Sequence, residues 1–215
     1  MTLRERIENV EDRISSACHR AGRPRSDVTL IAVTKKFSAA VITEAYSLGL
    51  REFGENYVQE FAEKKPNLAE ARYHFIGHLQ SNKARIAADL FHVIQTVDSM
   101  KLAQRLNDCA RPLEVMIEVK LSGETSKAGA APEDLPALLD TVRACGNLRL
   151  TGLMTIPPWS DDPEQTRPYF KKLAALAQAH AVAGLSMGMS HDFEAAIEEG
   201  ATHIRVGTAL FGPRR

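Results

Sequence analysis

Charge in excess is the first thing missing from this sequence: 27 Lys and Arg stand against 27 Asp and Glu. Without a basic surplus there is no counterion release to drive nucleic-acid binding, and no polybasic run suits an anionic membrane surface. Long apolar runs are missing too, and none approaches the roughly 18 residues that a membrane span needs. The N-terminus, "MTLRERIENVEDRI", is charged within its first turns and has no apolar stretch of the signal-peptide kind. Cysteine is scarce: Cys18, Cys109 and Cys145 are far apart and odd in number. That excludes a disulfide framework and a zinc knuckle. No GxGxxG follows the first strand-like run, which weakens a dinucleotide-binding reading. Linkers, low-complexity segments and internal repeats are absent as well. What remains is a reduced, cytoplasmic chain of 215 residues, read as a single domain over 1–215 and long enough for one full-sized core.

What is present is an alternation. Residues 3–21 place Leu3, Ile7, Val10, Ile14 and Ala17 at spacings of three and four, the stripe of an amphipathic helix that stops near Gly22 and Pro24. Beyond it, eight β-rich runs alternate with helix-period segments. The runs are "TLIAVTK" (29–35), "LREFGEN" (50–56), "RYHFIG" (72–77), "HVIQTVD" (92–98), "LEVMIEVKL" (113–121), "LRLTGLMTI" (148–156), "GLSMGM" (184–189) and "THIRVGTA" (202–209). Helical segments such as "SAAVITEAYSLG", "SNKARIAADLF", "SMKLAQRLNDCA", "PEDLPALLDTVRACG" and "FEAAIEEG" fill the gaps. Several open at Ser or Pro and close at Gly, as helix ends require. Eight strands each followed by a helix predict an α/β fold: a single (β/α)8 barrel of the TIM type with an extra N-terminal helix. A doubly wound open sheet is the runner-up. The Pro-rich stretch 156–168, "IPPWSDDPEQTRP", reads as a long βα loop.

In such a barrel the chemistry lies where strands run into the following helices, and the unusual residues fall there. "GMS" (188–190) opens the helix "HDFEAAIEEG", and "VGT" (206–208) supplies a glycine for close backbone approach and a second hydroxyl. Unpaired N–H groups at a helix start suit an anion, and loops after strands seven and eight commonly bind phosphate. Plain N-capping by Ser190 and a turn at Gly207 is the simpler reading of each stretch taken alone. His74 and His78 have metal-ligand spacing, but no third ligand is evident, and packed histidines fit better. Glu55 and Asp192 form a candidate acid–base pair, with Asp192 as a helix-dipole partner the plainer role. "SDDPEQ" reads as a solvated loop. Lys35 and Lys36 end strand one. Two solvated lysines are the ordinary case for such a pair. A lysine at a strand end facing a phosphate cradle instead suits a Schiff base to a phosphorylated aldehyde, either pyridoxal 5′-phosphate or a sugar phosphate.

The motifs "AVTK", "FGENYVQE", "HFIGHLQSNK", "SKAG", "GLMTIPP", "LSMGMSHDFEAAIEEG" and "IRVGTALFG" occur in that order. As a set, covering residues 3 to about 213, they resemble the pyridoxal phosphate homeostasis proteins, relatives of the N-terminal barrel of alanine racemase. The resemblance implies pyridoxal 5′-phosphate as cofactor. It makes Lys35 the aldimine lysine, Asn56 the polar residue beside the ring, and Ser190, Gly207 and Thr208 the phosphate contacts. It sets Arg205 against the pyridine nitrogen. Lys36, Phe37 and Ser38 depart from the family's usual small or polar residue and Lys-Pro at that place, so any helper role shifts to Lys36.

An arginine at the ring nitrogen disfavours its protonation and leaves the ring a weaker electron sink than a pyridinium. The sequence stops at Arg215, so no second domain with an opposing base is expected. The resemblance therefore implies a carrier or regulator in intracellular pyridoxal phosphate homeostasis rather than an enzyme. PLP-dependent apoenzymes are the candidate partners, with no nucleic acid, no metal and no membrane, and the chain is expected as a monomer or weak dimer. An amino-acid racemase, a Schiff-base aldolase and a cofactor-free scaffold are the alternatives.

Overall fold

Alternate residues of a strand face opposite ways, and a strand buried on both faces needs apolar side chains at both parities. The first β-rich run shows how the chain meets this. In the computed structural model, which describes residues 1–123 and 128–213, Leu30 and Ala32 join the core beneath the helices. Ile31 and Val33 lie outside that layer, within side-chain contact distance of Gly54, where β2 passes. Repeating this arrangement closes a barrel of parallel strands in chain order: β1 (Thr29–Val33), β2 (Glu52–Glu55), β3 (Arg72–Phe75), β4 (Val93–Val97), β5 (Leu113–Glu118), β6 (Leu148–Met154), β7 (Gly184–Met189) and β8 (His203–Val206). Closure is direct, with Thr29 to Ala32 of β1 in register with His203 to Val206 of β8.

The crossover helices are α2 (Ala39–Ser47), α3 (Val58–Lys64), α4 (Ala84–Leu90), α5 (Met100–Asn107), α6 (Leu135–Ala144), α7 (Arg167–Ala179), α8 (Phe193–Glu198) and α9 (Thr208–Phe211). The predicted N-terminal helix is α1 (Leu3–Arg20). Thr2 and Glu5 form its capping box, each accepting the other's backbone N–H. Its apolar stripe buries Ile7, Val10, Ile14, Ala17 and Cys18. Burial of each large aliphatic side chain stabilises by about 1.5–3 kcal/mol. The stripe lies against α8 and α9. Arg13 makes a two-pronged ion pair with Glu194 at 3.0 and 2.9 Å, its guanidinium over the Phe193 ring.

The barrel is the predicted one, and its differences from the expected spans are local. The eighth run was read to residue 209, but β8 stops at Val206 and Thr208 already begins α9. The fifth was read to 121, but β5 stops at Glu118, beyond which only Val119 bridges to Ala130. The long loop 156–168 contains a 3-10 turn, Pro163–Thr166, and leads into α7. Residues 124–127, including Ser126 and Lys127 of the "SKAG" motif, lie outside the described residues. No helix among the described residues is long and apolar enough to cross a membrane.

Candidate functional site

The six residues singled out in the sequence line one cavity of about 500 Å³: Lys35, Asn56, Ser190, Arg205, Gly207 and Thr208. It lies at the C-terminal ends of the strands, and Val33, Ile76, Ile156, Trp159, Met189, His191 and Ala209 complete its wall. Lys35 gets there by parity. It continues the inward series Ile31, Val33, while Lys36 falls in the turn beyond with φ 65°, exposed, its N–H donating to Glu60 Oε1 at 2.6 Å. The helix-facing core of β1 takes only Leu30 and Ala32, so parity does choose between the two lysines.

The turn carrying Lys35 is braced from below. Lys64 Nζ donates to the Thr34 carbonyl at 2.8 Å, the Phe37 carbonyl at 2.9 Å and Glu60 Oε1 at 2.7 Å, and pairs with buried Glu55 at 2.9 Å. The Thr34 hydroxyl donates to the same Glu55 oxygen at 2.7 Å. Burial raises the Glu55 pKa, against the lowering effect of its bonds to Thr34 and Lys64. This corrects the acid–base pairing of Glu55 with Asp192. Glu55 braces the β1 turn, and Asp192 Oδ1 accepts the Met189 N–H at 2.7 Å, closing the turn after β7.

Two glycines allow close approaches here. A Cβ on Gly77 would stand 2.2 Å from the Asn56 carbonyl oxygen, so only glycine lets the end of β3 run beside Asn56. Gly188 has φ +88°, and a Cβ there would meet Ala196 Cβ at 2.5 Å. It lets the end of β7 lie on α8 and delivers Ser190 to the cavity. Ser190 Oγ then accepts the N–H groups of Gly207 at 3.1 Å and Ala209 at 3.2 Å. Two backbone amides thus converge on a single oxygen at the cavity wall, the geometry of an oxyanion nest.

Arg205 projects inward from β8 and is 4 % exposed. Its Nη1 donates to Ser186 Oγ at 2.7 Å and its Nη2 to the Thr155 carbonyl at 2.9 Å. Burial pulls its pKa down to about 10, opposed by the charges of Asp192 and Glu118, so the guanidinium stays protonated at neutral pH. Sequence reasoning missed Glu118, at the end of β5. It is buried and lines a smaller cavity of about 200 Å³ that shares Asn56, Ile76 and Ile156 with the larger one. Burial pushes its carboxyl up to about 7. The Arg205 charge opposes that shift and Asp98 adds to it. The signal was an acid directly after the apolar stretch Val115–Met116–Ile117 at the end of the strand run. Also missed were Trp159 and His191, whose rings meet at 4.8 Å between centroids. The lone Trp of the Pro-rich loop 156–168 was their signal.

The two histidines are not brought together. His74 is buried in the barrel with Glu52 and Gln95 as partners, while His78 is exposed beside Asp98. Among the described residues no group of three His, Cys, Asp or Glu is placed to hold a metal.

Residues 6–215 match the family model described as alanine racemase, N-terminal domain. Along nearly its whole length the chain is 47% identical to the pyridoxal phosphate homeostasis protein of Pseudomonas aeruginosa, covering 99% of this chain and 96% of that one. The chain belongs to the pyridoxal phosphate homeostasis protein family. Its Escherichia coli K12 member is 41% identical over 97% of this chain and 95% of its own. PipY of Synechococcus elongatus, solved with PLP bound, superposes on this family member with a TM-score of 0.85 at 39% identity, covering 98% of this chain and all of that one. Alanine racemase of Corynebacterium glutamicum shares the fold, with a TM-score of 0.70 at 17% identity over 96% of this chain and 60% of that one.

Proposed function

We propose that this chain binds pyridoxal 5′-phosphate in the 500 Å³ cavity and acts in its intracellular homeostasis. The observation that carries the reading is convergence. Lys35, Asn56, Ser190, Arg205, Gly207 and Thr208 come from β1, β2, β7 and β8 or the turns just beyond them, and all reach one cavity. The donor set also fits the molecule. Asn56 Oδ1 and His191 Nε2 are buried on residues lining the cavity and have no hydrogen-bond partner among the described residues. The converging amides of Gly207 and Ala209, with the Thr208 hydroxyl, suit phosphate oxygens, and buried Arg205 suits the acceptor nitrogen of a pyridine. The apolar wall of Val33, Ile76 and Ile156 suits the ring faces. That PipY was solved with PLP bound, at 39% identity, supports the same reading here.

Pyridoxal 5′-phosphate would supply an aldehyde carbon open to attack by a neutral lysine amine, with loss of water. Lys35 provides the amine. Arg205, charged at neutral pH, donates at the ring nitrogen and keeps the proton off it. Asn56 orients the ring edge, and Ser190, Gly207 and Thr208 hold the phosphate. The protein on this reading is a cytoplasmic carrier or regulator without useful turnover, a monomer or weak dimer that serves PLP-dependent apoenzymes. The names of its curated relatives, pyridoxal phosphate homeostasis proteins, support the homeostasis role.

The test is the visible spectrum of the purified protein with and without borohydride. A yellow protein that fixes its cofactor on reduction supports the reading, and a colourless one that takes up no added PLP overturns it. A racemase-like activity is the second reading. One observation favours it: the buried Glu118 carboxyl titrates near neutrality beside the cavity, as a proton-transfer group would. Incubation with L-amino acids in heavy water distinguishes the two by α-proton exchange.

A further inference from the structure

Arg205 is the near end of a line of hydrogen bonds that crosses the barrel. Its Nη1 donates to Ser186 Oγ on β7 at 2.7 Å. The Ser186 hydroxyl donates to Gln95 Oε1 on β4 at 2.6 Å. Gln95 Nε2 meets His74 Nδ1 on β3 at 2.9 Å, and His74 Nε2 meets Glu52 Oε2 on β2 at 2.5 Å. Gln95 and Ser186 are fully buried and His74 is 2 % exposed. Glu52 and His74 line a cavity of about 230 Å³ among the first residues of the strands, the mouth opposite the cofactor cavity. Five side chains from five strands therefore connect the two ends of the barrel.

The two ends and the Gln95 amide together set the direction of every bond between them. A guanidinium only donates, so Ser186 accepts from it and has one proton to give onward. Gln95 Oε1 takes that proton, and its amide nitrogen faces His74. An amide nitrogen only donates, so His74 Nδ1 is unprotonated and Nε2–H donates to the Glu52 carboxylate, which only accepts. All four bonds run donor to acceptor from Arg205 to Glu52, with no frustrated partner. Barrel interiors of this size are ordinarily filled by branched apolar side chains. Burying this many polar groups is costly unless each is satisfied, and aligned bonds polarise one another.

We propose that Ser186, Gln95 and His74 are positioning residues that hold Arg205 at the cofactor's ring nitrogen and set its donor strength, with Glu52 at the opposite mouth as the accepting end. This rests on the reading that Arg205 faces that nitrogen. Ser186 Oγ and the Thr155 carbonyl anchor the two Nη atoms, so the remaining N–H groups point in a fixed direction. The line makes that anchor depend on residues on the far side of the barrel.

The test uses Gln95→Met, near in shape but unable to relay, and Gln95→Glu, which can only accept. In the cofactor-free wild type, ¹⁵N spectra should show His74 as the Nε2–H tautomer. In Gln95→Glu, Nδ1 faces a carboxylate and should become protonated. The Arg205 guanidinium resonance should move in both variants. In the loaded protein, the absorption band of the bound cofactor should shift in both, and Gln95→Met should retain PLP roughly five- to tenfold less tightly, the loss of about one hydrogen bond. A wild-type His74 with its proton on Nδ1 overturns the proposal without any variant. So does a lower melting temperature in the variants with the Arg205 resonance and cofactor band unmoved, since a purely structural role predicts that pattern. If the wild type takes up no PLP, the cofactor reading fails instead, and the cofactor-free spectra still decide the line.

Discussion

At the residue scale the lysine pair separates cleanly. Lys35 belongs to the inward series of β1, and Lys36 sits in a left-handed turn, exposed. Borohydride reduction of the loaded protein followed by peptide mapping should therefore find the phosphopyridoxyl group on Lys35. Recovery mainly from Lys36 would contradict the site. Thr208→Ala should weaken retention of PLP more than of unphosphorylated pyridoxal, because only PLP has the phosphate oxygens that the hydroxyl is proposed to meet. A bond to a charged oxygen is worth roughly 1.5–3 kcal/mol, or about ten- to a hundredfold in affinity. Thr208 is exposed, so the fold should not change, and equal losses for the two ligands would sink the assignment. Glu118 makes a pH prediction. Its raised pKa means the folded state holds a proton that the unfolded chain has released between about pH 4.5 and 7. Its contribution to stability is thus largest in acid and is lost as pH rises through that window, by roughly 3 kcal/mol. Glu118→Gln should remove that loss, so denaturant midpoints of variant and wild type should diverge with rising pH, the variant ahead above pH 7. Parallel pH curves would mean Glu118 is ordinary. Lys35, Ser190, Gly207 and Thr208 were legible because each stands where a strand runs into the following turn or helix, whereas Asn56 and Arg205 were singled out only through the family resemblance. Glu118 was not, because its neighbours in "LEVMIEVKL" mark a buried strand and the sequence does not reveal where that strand stops.

At the element scale, period told more than boundary. The stripe of α1 and the apolar runs of all eight strands could be read, because burial on two faces demands them. Strand ends were overrun by three residues at both β5 and β8, where the chain stays largely apolar or small after the ladder stops. α3 and α7 were expected only as the helix that follows each strand, with no segment of their own picked out by its period. α3 is short, and α7 follows the Pro-rich loop, whose turn signals mask the start of its stripe. The glycines at strand ends carry consequences that periodicity does not show. Gly77→Ala would drive a Cβ into the Asn56 carbonyl at 2.2 Å, so one backbone must shift. The expected cost is about 1–3 kcal/mol in denaturant unfolding. Weaker PLP retention should accompany it, because Asn56 moves with that backbone. A destabilised variant with unchanged retention would show that Asn56 does not contact the ring edge.

At the scale of the whole molecule, the question is whether the barrel turns substrate over. Two features act against each other. Arg205 is protonated at neutral pH and anchored at both Nη atoms, and at the ring nitrogen, as proposed, it would disfavour a protonated ring and so weaken the electron sink. Glu118, titrating near 7 in the adjoining cavity, is a group able to move a proton. A general acid–base group contributes about 10²–10⁴-fold, but it acts only on a carbanion that the ring can hold. The sink therefore limits the outcome, and α-proton exchange of alanine by the PLP-loaded protein should run well below the roughly 1–10³ s⁻¹ of working enzymes. Exchange into heavy water followed by NMR measures it. Residual exchange should fall further in Glu118→Gln if that carboxyl moves the proton, with PLP occupancy unchanged. Turnover in the enzymatic range would replace the carrier reading with the racemase-like one. Slow exchange indifferent to Glu118 would leave the carrier standing and assign the raised pKa of that carboxyl to burial alone.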